Sequence, residues 1–162
     1  MSLISPTCAG FSFTRRFSKT PTQVFKAFTD PDLHKQWFKG PPDGTELARS
    51  LQCRVGGHEE LKVKWASGML THFVCTFHAV RPGERLGYTY DLFIDEKLYS
   101  TSLGDIVFAG EGAGTEITFT EMTSYFAEGD VKELDASRIR GTEHHFDGLV
   151  KLVESTSLHG RT

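Results

Sequence analysis

Glu121, Tyr88 and Tyr90 are the residues of this chain whose types and spacing suit proton chemistry. Ile117, Phe119 and Glu121 alternate along one strand-like stretch and Leu86, Tyr88 and Tyr90 along another, so a carboxyl and two phenols fall on otherwise apolar faces. Inward placement raises a carboxyl pKa by desolvation unless Arg54 or another cation pairs with it, which is the setting of a general acid or a ligand anchor. The alternative for Glu121 is a strand-end position reaching solvent. For the tyrosines it is packing in a plain core with the hydroxyl at the rim.

The other chemistry-bearing residues do not assemble into a recognisable site. His72 and His78 share a strand face opposite Phe73 and Phe77, too far apart for one metal. His144 and His145 point about 100° apart on a helix, so they cannot chelate together, although one of them can face the sheet. Glu143 and Asp147 form an i,i+4 carboxylate pair that reads as a solvated surface. Gly56-Gly57 and the loop from Gly110 to Gly114 lack the Lys-Ser/Thr and helix start of a phosphate-binding loop, and hairpin turns explain them better. No serine triad, HExxH spacing or nucleophile elbow is present, so the sequence nominates no catalytic residue, metal or cofactor.

Composition narrows the class further. With 162 residues, 38% of them hydrophobic, the chain suits one domain that buries its own core. Thirteen Phe, four Tyr and two Trp supply much of that interior and suit the wide space between a curved sheet and a helix. A net charge of -3, with Arg15, Arg16 and Lys19 as the densest basic patch, argues against nucleic acid as a partner. There is neither a leader pattern in Met1 to Gly10 nor an apolar run of membrane length, so a soluble cytoplasmic protein is expected. Cys8, Cys53 and Cys75 give an odd count without paired spacing: Cys53 and Cys75 read as buried reduced thiols and Cys8 as part of a frayed terminus.

The elements that must position these residues follow from local signals. Phe11, Phe13, Arg15 and Phe17 alternate as a first strand. Thr20-Pro21 and Asp30-Pro31 each place an N-capping side chain before a proline at the first helical position, so two short helices meet at a corner rich in aromatics. Strands are expected at about 46–55, 58–66, 70–80, 84–93, 98–109 and 114–124, separated by Gly56-Gly57, Ser67-Gly68, Pro82-Gly83, Asp95-Glu96 and the Gly110–Gly114 loop, as in an antiparallel meander. Asp130-Val-Lys-Glu133 resembles a capping box ahead of a stripe of Leu134, Ile139, Phe146, Leu149, Val150 and Val153; Gly141 leaves open one long helix or a lead-in plus a helix from about 137 to 155. The expected fold is α+β: a helix-grip arrangement in which a curved antiparallel sheet of about seven strands wraps a long C-terminal helix. It spans residues 11–155 as a single domain, with loose termini at 1–10 and 156–162.

With these elements in order, the chain resembles the SRPBCC superfamily (START-like, or Bet v-like), in the branch related to the activator of heat-shock protein 90 ATPase. The resemblance rests on Pro21-x-x-Val-Phe-x-Ala-Phe-Thr-Asp-Pro with Trp37-Phe38, on Arg54-Val-Gly-Gly57, and on Pro82-x-Glu-Arg-Leu-x-Tyr-Thr-Tyr90. It continues through Gly114-Thr-Glu-Ile-Thr-Phe-Thr-Glu121 and Gly141-Thr-Glu-His-His-Phe-Asp-Gly-Leu149, covering about residues 11–154 in the family's order. The chain departs from many relatives at Thr142, where the branch often carries Trp after Gly, and at Tyr90, where Trp is frequent; both changes alter pocket shape.

The resemblance implies one of three activities. The first is binding of a small hydrophobic molecule between sheet and terminal helix, with Trp37, Phe38, Trp65, Phe73, Phe77, Tyr88, Tyr90, Phe119, Glu121 and Phe146 as candidate ligand contacts. The second is cyclase- or dehydratase-like acid–base catalysis on a polyketide-like substrate, with Glu121 and Tyr88 or Tyr90 moving a proton. The third is stimulation of the chaperone ATPase, although a fold that begins by Phe11 leaves no room for the additional N-terminal domain of those activators. An exposed strand edge or the terminal helix could also support a homodimer.

Overall fold

Both proline-led caps form. In the computed structural model, which describes residues 7–156, Thr20 starts α1 (Pro21–Thr29) through a reciprocal capping box with Gln23. Asp30 starts α2 (Pro31–Trp37) by accepting from the backbone N–H groups of Asp32 and Leu33. The corner between them is pinned by Trp37, whose indole N–H donates to the Ala27 carbonyl at 2.8 Å. The exposed face of each helix is polar, and Val24, Phe25, Ala27 and Phe28 are buried against the sheet.

Seven strands surround this corner in sequence: β1 (Cys8–Phe17), β2 (Thr45–Leu51), β3 (His58–Lys64), β4 (Leu70–Arg81), β5 (Arg85–Ile94), β6 (Lys97–Glu111) and β7 (Gly114–Tyr125). They form one antiparallel sheet in the order β1-β7-β6-β5-β4-β3-β2, a meander with β1 folded back onto β7. The first strand starts earlier than the alternation of Phe11 to Phe17 predicts. Cys8, Ala9 and Gly10 pair with Ser124, Thr123 and Met122, so Cys8 is an exposed strand residue and not part of a loose end. The rest of the expected loose termini lies outside the described residues, apart from Thr7 and Thr156, which flank β1 and the last helix.

The hairpin between β5 and β6 turns through Asp95 and Glu96, both left-handed at φ 49° and 66°. That is the two-residue turn whose twist matches the flanking strands.

The last element, α3 (Val131–Ser155), is one continuous helix, and Gly141 does not interrupt it. Asp130 caps it by accepting from the Lys132 N–H rather than through a reciprocal box with Glu133. Its two halves bury different chemistry. The C-terminal half packs Phe146, Leu149 and Val153 against Phe13, Phe28 and Phe119, whereas the N-terminal half turns Asp135 and Arg138 inward. In the sheet, α3 lies closest to β1 at one edge, which leaves space between it and the concave middle strands.

Candidate functional site

Strand register sets the floor of that space. One row across the sheet runs Phe77, Tyr88, Gly104, Glu121, and the next runs Cys75, Tyr90, Ser102, Thr123. The inward face of β6 therefore carries Ser100, Ser102 and Gly104 at one end, small residues that leave room, and Ile106 and Phe108 at the other, which fill the core. The ring of Tyr88 lies across Gly104: a Cβ there would sit 2.5 Å from its Cζ, so only glycine lets the phenol cross β6 toward Glu121.

Arg138 descends from α3 into this floor. Its Nη1 donates to Glu121 Oε1 (3.0 Å), to the Tyr90 hydroxyl (2.7 Å) and to Ser102 (3.2 Å), and its Nη2 donates to Ser100 (2.7 Å). Tyr90 and Thr123 in turn donate to Glu121 Oε1 at 2.7 and 3.0 Å. Burial opposes the Arg138 charge, but Tyr90, Glu121 and Tyr125 outweigh it and raise its pKa. Burial pushes both Tyr88 and Tyr90 well above the ordinary phenol value, with Glu121 adding to the shift, so both remain protonated hydrogen-bond donors.

A second polar pair closes the opposite wall. His34 on α2 and Glu59 on β3, 7% and 6% exposed, meet through Nε2 and Oε1, and His34 Nδ1 is buried with no partner. Nearby, His145 of α3 places Nδ1 3.2 Å from the Trp37 carbonyl oxygen. A carbonyl only accepts, so Nδ1 carries the proton; burial lowers the His145 pKa and keeps the ring neutral, which leaves Nε2 as a bare acceptor.

Between these walls lies an inner chamber of about 90 Å³, several times the roughly 10–15 Å³ that one water requires. It shares Phe38, Phe73, Tyr90, Thr142 and His145 with an outer groove of about 380 Å³ that opens beside α3. The inner walls are mostly aromatic; the groove adds Leu61, Val63, Leu92, Ile94 and Leu134. No group of three or more His, Cys, Asp or Glu among the described residues could hold a metal ion. Among the described residues no helix is long and apolar enough to cross a membrane.

Residues 18–154 match the family of Activator of Hsp90 ATPase homolog 1-like proteins. The chain belongs to that family. A comparison with curated proteins finds no match. Among solved structures, an uncharacterised protein from Rhizobium leguminosarum is similar at 27% identity and TM-score 0.81, over 90% of this chain and 94% of that one. Mll3558 from Rhizobium loti is similar at 26% identity and TM-score 0.79, over 90% and 96%. An AHSA1-like protein from Aeromonas hydrophila, solved by solution NMR, shares the fold at 21% identity and TM-score 0.68, over 95% and 99%.

In this member of the Hsp90-activator-like family, nine of the ten residues singled out by strand parity, the helical corner and the stripe of the terminal helix line the inner chamber: Trp37, Phe38, Phe73, Phe77, Tyr88, Tyr90, Phe119, Glu121 and Phe146. Trp65 does not. It lies just past the end of β3 and is 38% exposed; its indole N–H donates to Thr71, and its ring borders only the outer groove. Glu121 is 2% exposed, so the strand-end placement is wrong, and its cation is Arg138, because Arg54 sits exposed in the turn after β2. Glu143 and Asp147 are not simply solvated: both face Arg15 on β1, at 3.9 and 3.2 Å.

Sequence reasoning missed His34, Glu59 and Arg138, and a signal existed for each. Glu59 continues the parity of Leu61 and Val63. His34 precedes Trp37 and Phe38 at helical spacing. Arg138 and Asp135 extend, in steps of three and four, the stripe through Thr142, His145 or Phe146, Leu149 and Val153.

Proposed function

We propose that this chain binds a small, largely apolar molecule between the concave face of the sheet and α3. The observation that carries this reading is an aromatic inner chamber lying directly beside the outer groove, with Phe38, Phe73, Tyr90, Thr142 and His145 bordering both. Protein interiors are packed without such spaces unless something occupies them or their loss is tolerated. A ligand here removes apolar surface from water on all sides, and the polar groups of the walls orient it.

Native mass spectrometry of the protein purified from its own host tests the reading directly. A small molecule retained in the native ion and released on denaturation supports it. Thr142→Trp, which fills the throat shared by both spaces, should abolish retention while leaving the fold intact by circular dichroism. If the wild-type chain retains nothing and apolar alcohols such as 1-octanol do not raise its melting temperature, the proposal fails.

A co-chaperone role has only the family's name behind it. A pulldown with the chaperone, coupled to its ATPase assay, separates that role from ligand binding.

A further inference from the structure

Two of the polar atoms around the chamber that have no partner among the described residues can only accept. All hydrogen bonds to the Glu121 carboxylate fall on Oε1, which leaves Oε2, on a residue lining the inner chamber, without a partner among the described residues. His145 spends its N–H on the Trp37 carbonyl, and its Nε2 has no partner among the described residues, on a ring that borders both chamber and groove. Both atoms only accept. Neither is sealed into the protein interior in the way His34 Nδ1 is. The Tyr88 hydroxyl also lacks a partner among the described residues, and it can turn to accept or donate.

The carboxylates of the site already have partners. Glu121 is paired with Arg138, Glu59 Oε1 meets His34 Nε2, and Asp135 accepts from the Tyr125 hydroxyl. A ligand carboxylate in the inner chamber would face the Glu121 carboxylate with no lysine or arginine in the chamber lining, since Lys39 borders only the outer groove. A ligand ammonium would crowd Arg138 around a carboxylate whose charge is already taken, and would lose its hydration in doing so.

Building on the binding function proposed above, we infer that the ligand is an uncharged hydroxylated molecule, an alkylphenol or a comparable alcohol, that donates hydrogen bonds to His145 Nε2 at the throat and Glu121 Oε2 on the floor. Its hydroxyl-bearing end occupies the inner chamber and its apolar remainder lies in the outer groove. A ligand of the same shape without O–H groups displaces water from both acceptors and leaves them unsatisfied, the costly arrangement for a buried polar group. The specificity is therefore for the donor as well as for apolar bulk.

Isothermal titration with four probes built on one hexylbenzene frame tests this: 4-hexylresorcinol, its bis-methyl ether, 4-hexylbenzoate and 4-hexylbenzylamine. The diol is expected to bind about tenfold or more tightly than the ether, the cost of leaving buried acceptors unpaired, and the two charged probes to bind more weakly than the diol. In His145→Phe the preference for diol over ether should shrink severalfold. In the wild-type chain, the ¹⁵N resonance of His145 Nε2 should keep the position of a hydrogen-bonded nitrogen on adding the diol and move toward that of an unbonded imidazole nitrogen on adding the ether, a readout that does not depend on the variant folding. An ether that binds as well as the diol, or a benzoate or amine that binds better, overturns the inference and leaves the pocket itself standing. Failure of all four, together with 1-octanol, removes the pocket and the inference at once.

Discussion

Arg138 Nη1 sits 3.0 Å from Glu121 Oε1, with the two side chains 10% and 2% exposed, so a helix and the strand β7 are joined by an ion pair that water barely reaches. Such a pair gains little over apolar residues of the same shape, because desolvation offsets the attraction, but losing one partner strands the other charge. Arg138→Met should therefore destabilise the chain by about 3–5 kcal/mol, and the double variant Glu121→Gln with Arg138→Met should recover a large part of that loss. Urea unfolding of the wild-type chain and the two variants measures both quantities. A single-variant cost below about 1 kcal/mol, the range of exposed pairs, would show that the carboxylate is solvated in solution.

The same pair shows what can and cannot be read from the chain. Thr20-Pro21, Asp30-Pro31 and the turns between strands announce themselves because capping and left-handed backbone are local chemistry. Parity placed Glu121 on the inner face because every residue of a strand shares one alternation. Its partner was legible only as a polar continuation of the stripe on α3, with nothing to say which residue it meets. Arg138 reaches Glu121 only because of how α3 is rotated and seated over β5 to β7, and the spacing of apolar residues fixes that rotation only where the stripe is apolar. Trp65 failed for a related reason: β3 ends at Lys64, so alternation no longer applied to it.

Gly104 and Tyr88 are coupled through space that only a hydrogen atom fits. Gly104→Ala places a methyl group about where Cζ of Tyr88 now lies, 2.5 Å from the new carbon, so the ring must leave its place over β6. A loss of about 1–3 kcal/mol is expected, as for other overpacked interiors. Combining it with Tyr88→Ala should cost less than the sum of the two single changes, which a double-mutant cycle by urea unfolding reads. Strict additivity would mean that the ring does not cover the glycine.

The turn at Asp95-Glu96 holds two residues with side chains at positive φ. Asp95 contributes there, since its carboxylate accepts from the Leu70 N–H at 2.9 Å, whereas Glu96 is exposed. Glu96→Gly removes a left-handed penalty of about 1–2 kcal/mol and adds back the extra freedom of glycine in the unfolded chain, for a net gain of about 0.5–1 kcal/mol. Thermal melts of the two proteins decide this, and an unchanged or lower midpoint would contradict it.

The thiols should separate by environment. Burial pushes Cys53 up to about 12 and Cys75 higher still, with Glu59 adding to both, while Cys8 is exposed on β1. Because the thiolate is the reactive form, Ellman's reagent at about pH 8 should modify one thiol rapidly in the folded protein and all three after unfolding. Rapid reaction of a second thiol under native conditions would mean that the region around β4 opens readily.

His145 gives the chain a signed dependence on pH. Burial lowers its pKa from the ordinary 6.5, the nearby His144 and His34 lower it further, and the bond to the Trp37 carbonyl opposes them only partly. Above pH 6.5 the ring is neutral whether the chain is folded or not, and its contribution to stability is complete. As pH falls below that value the unfolded chain takes up a proton that the folded chain refuses, so stability is lost until the folded pKa is passed. Urea unfolding between pH 7.5 and about 5 should therefore show a steeper decline for the wild-type chain than for His145→Phe, in which this group no longer titrates while His34 and His144 remain. Hydroxylated probes should lose affinity over the same interval, because protonation turns Nε2 from an acceptor into a donor. Parallel stability curves for the two proteins would show that the imidazole is solvated, and with it the throat of the chamber.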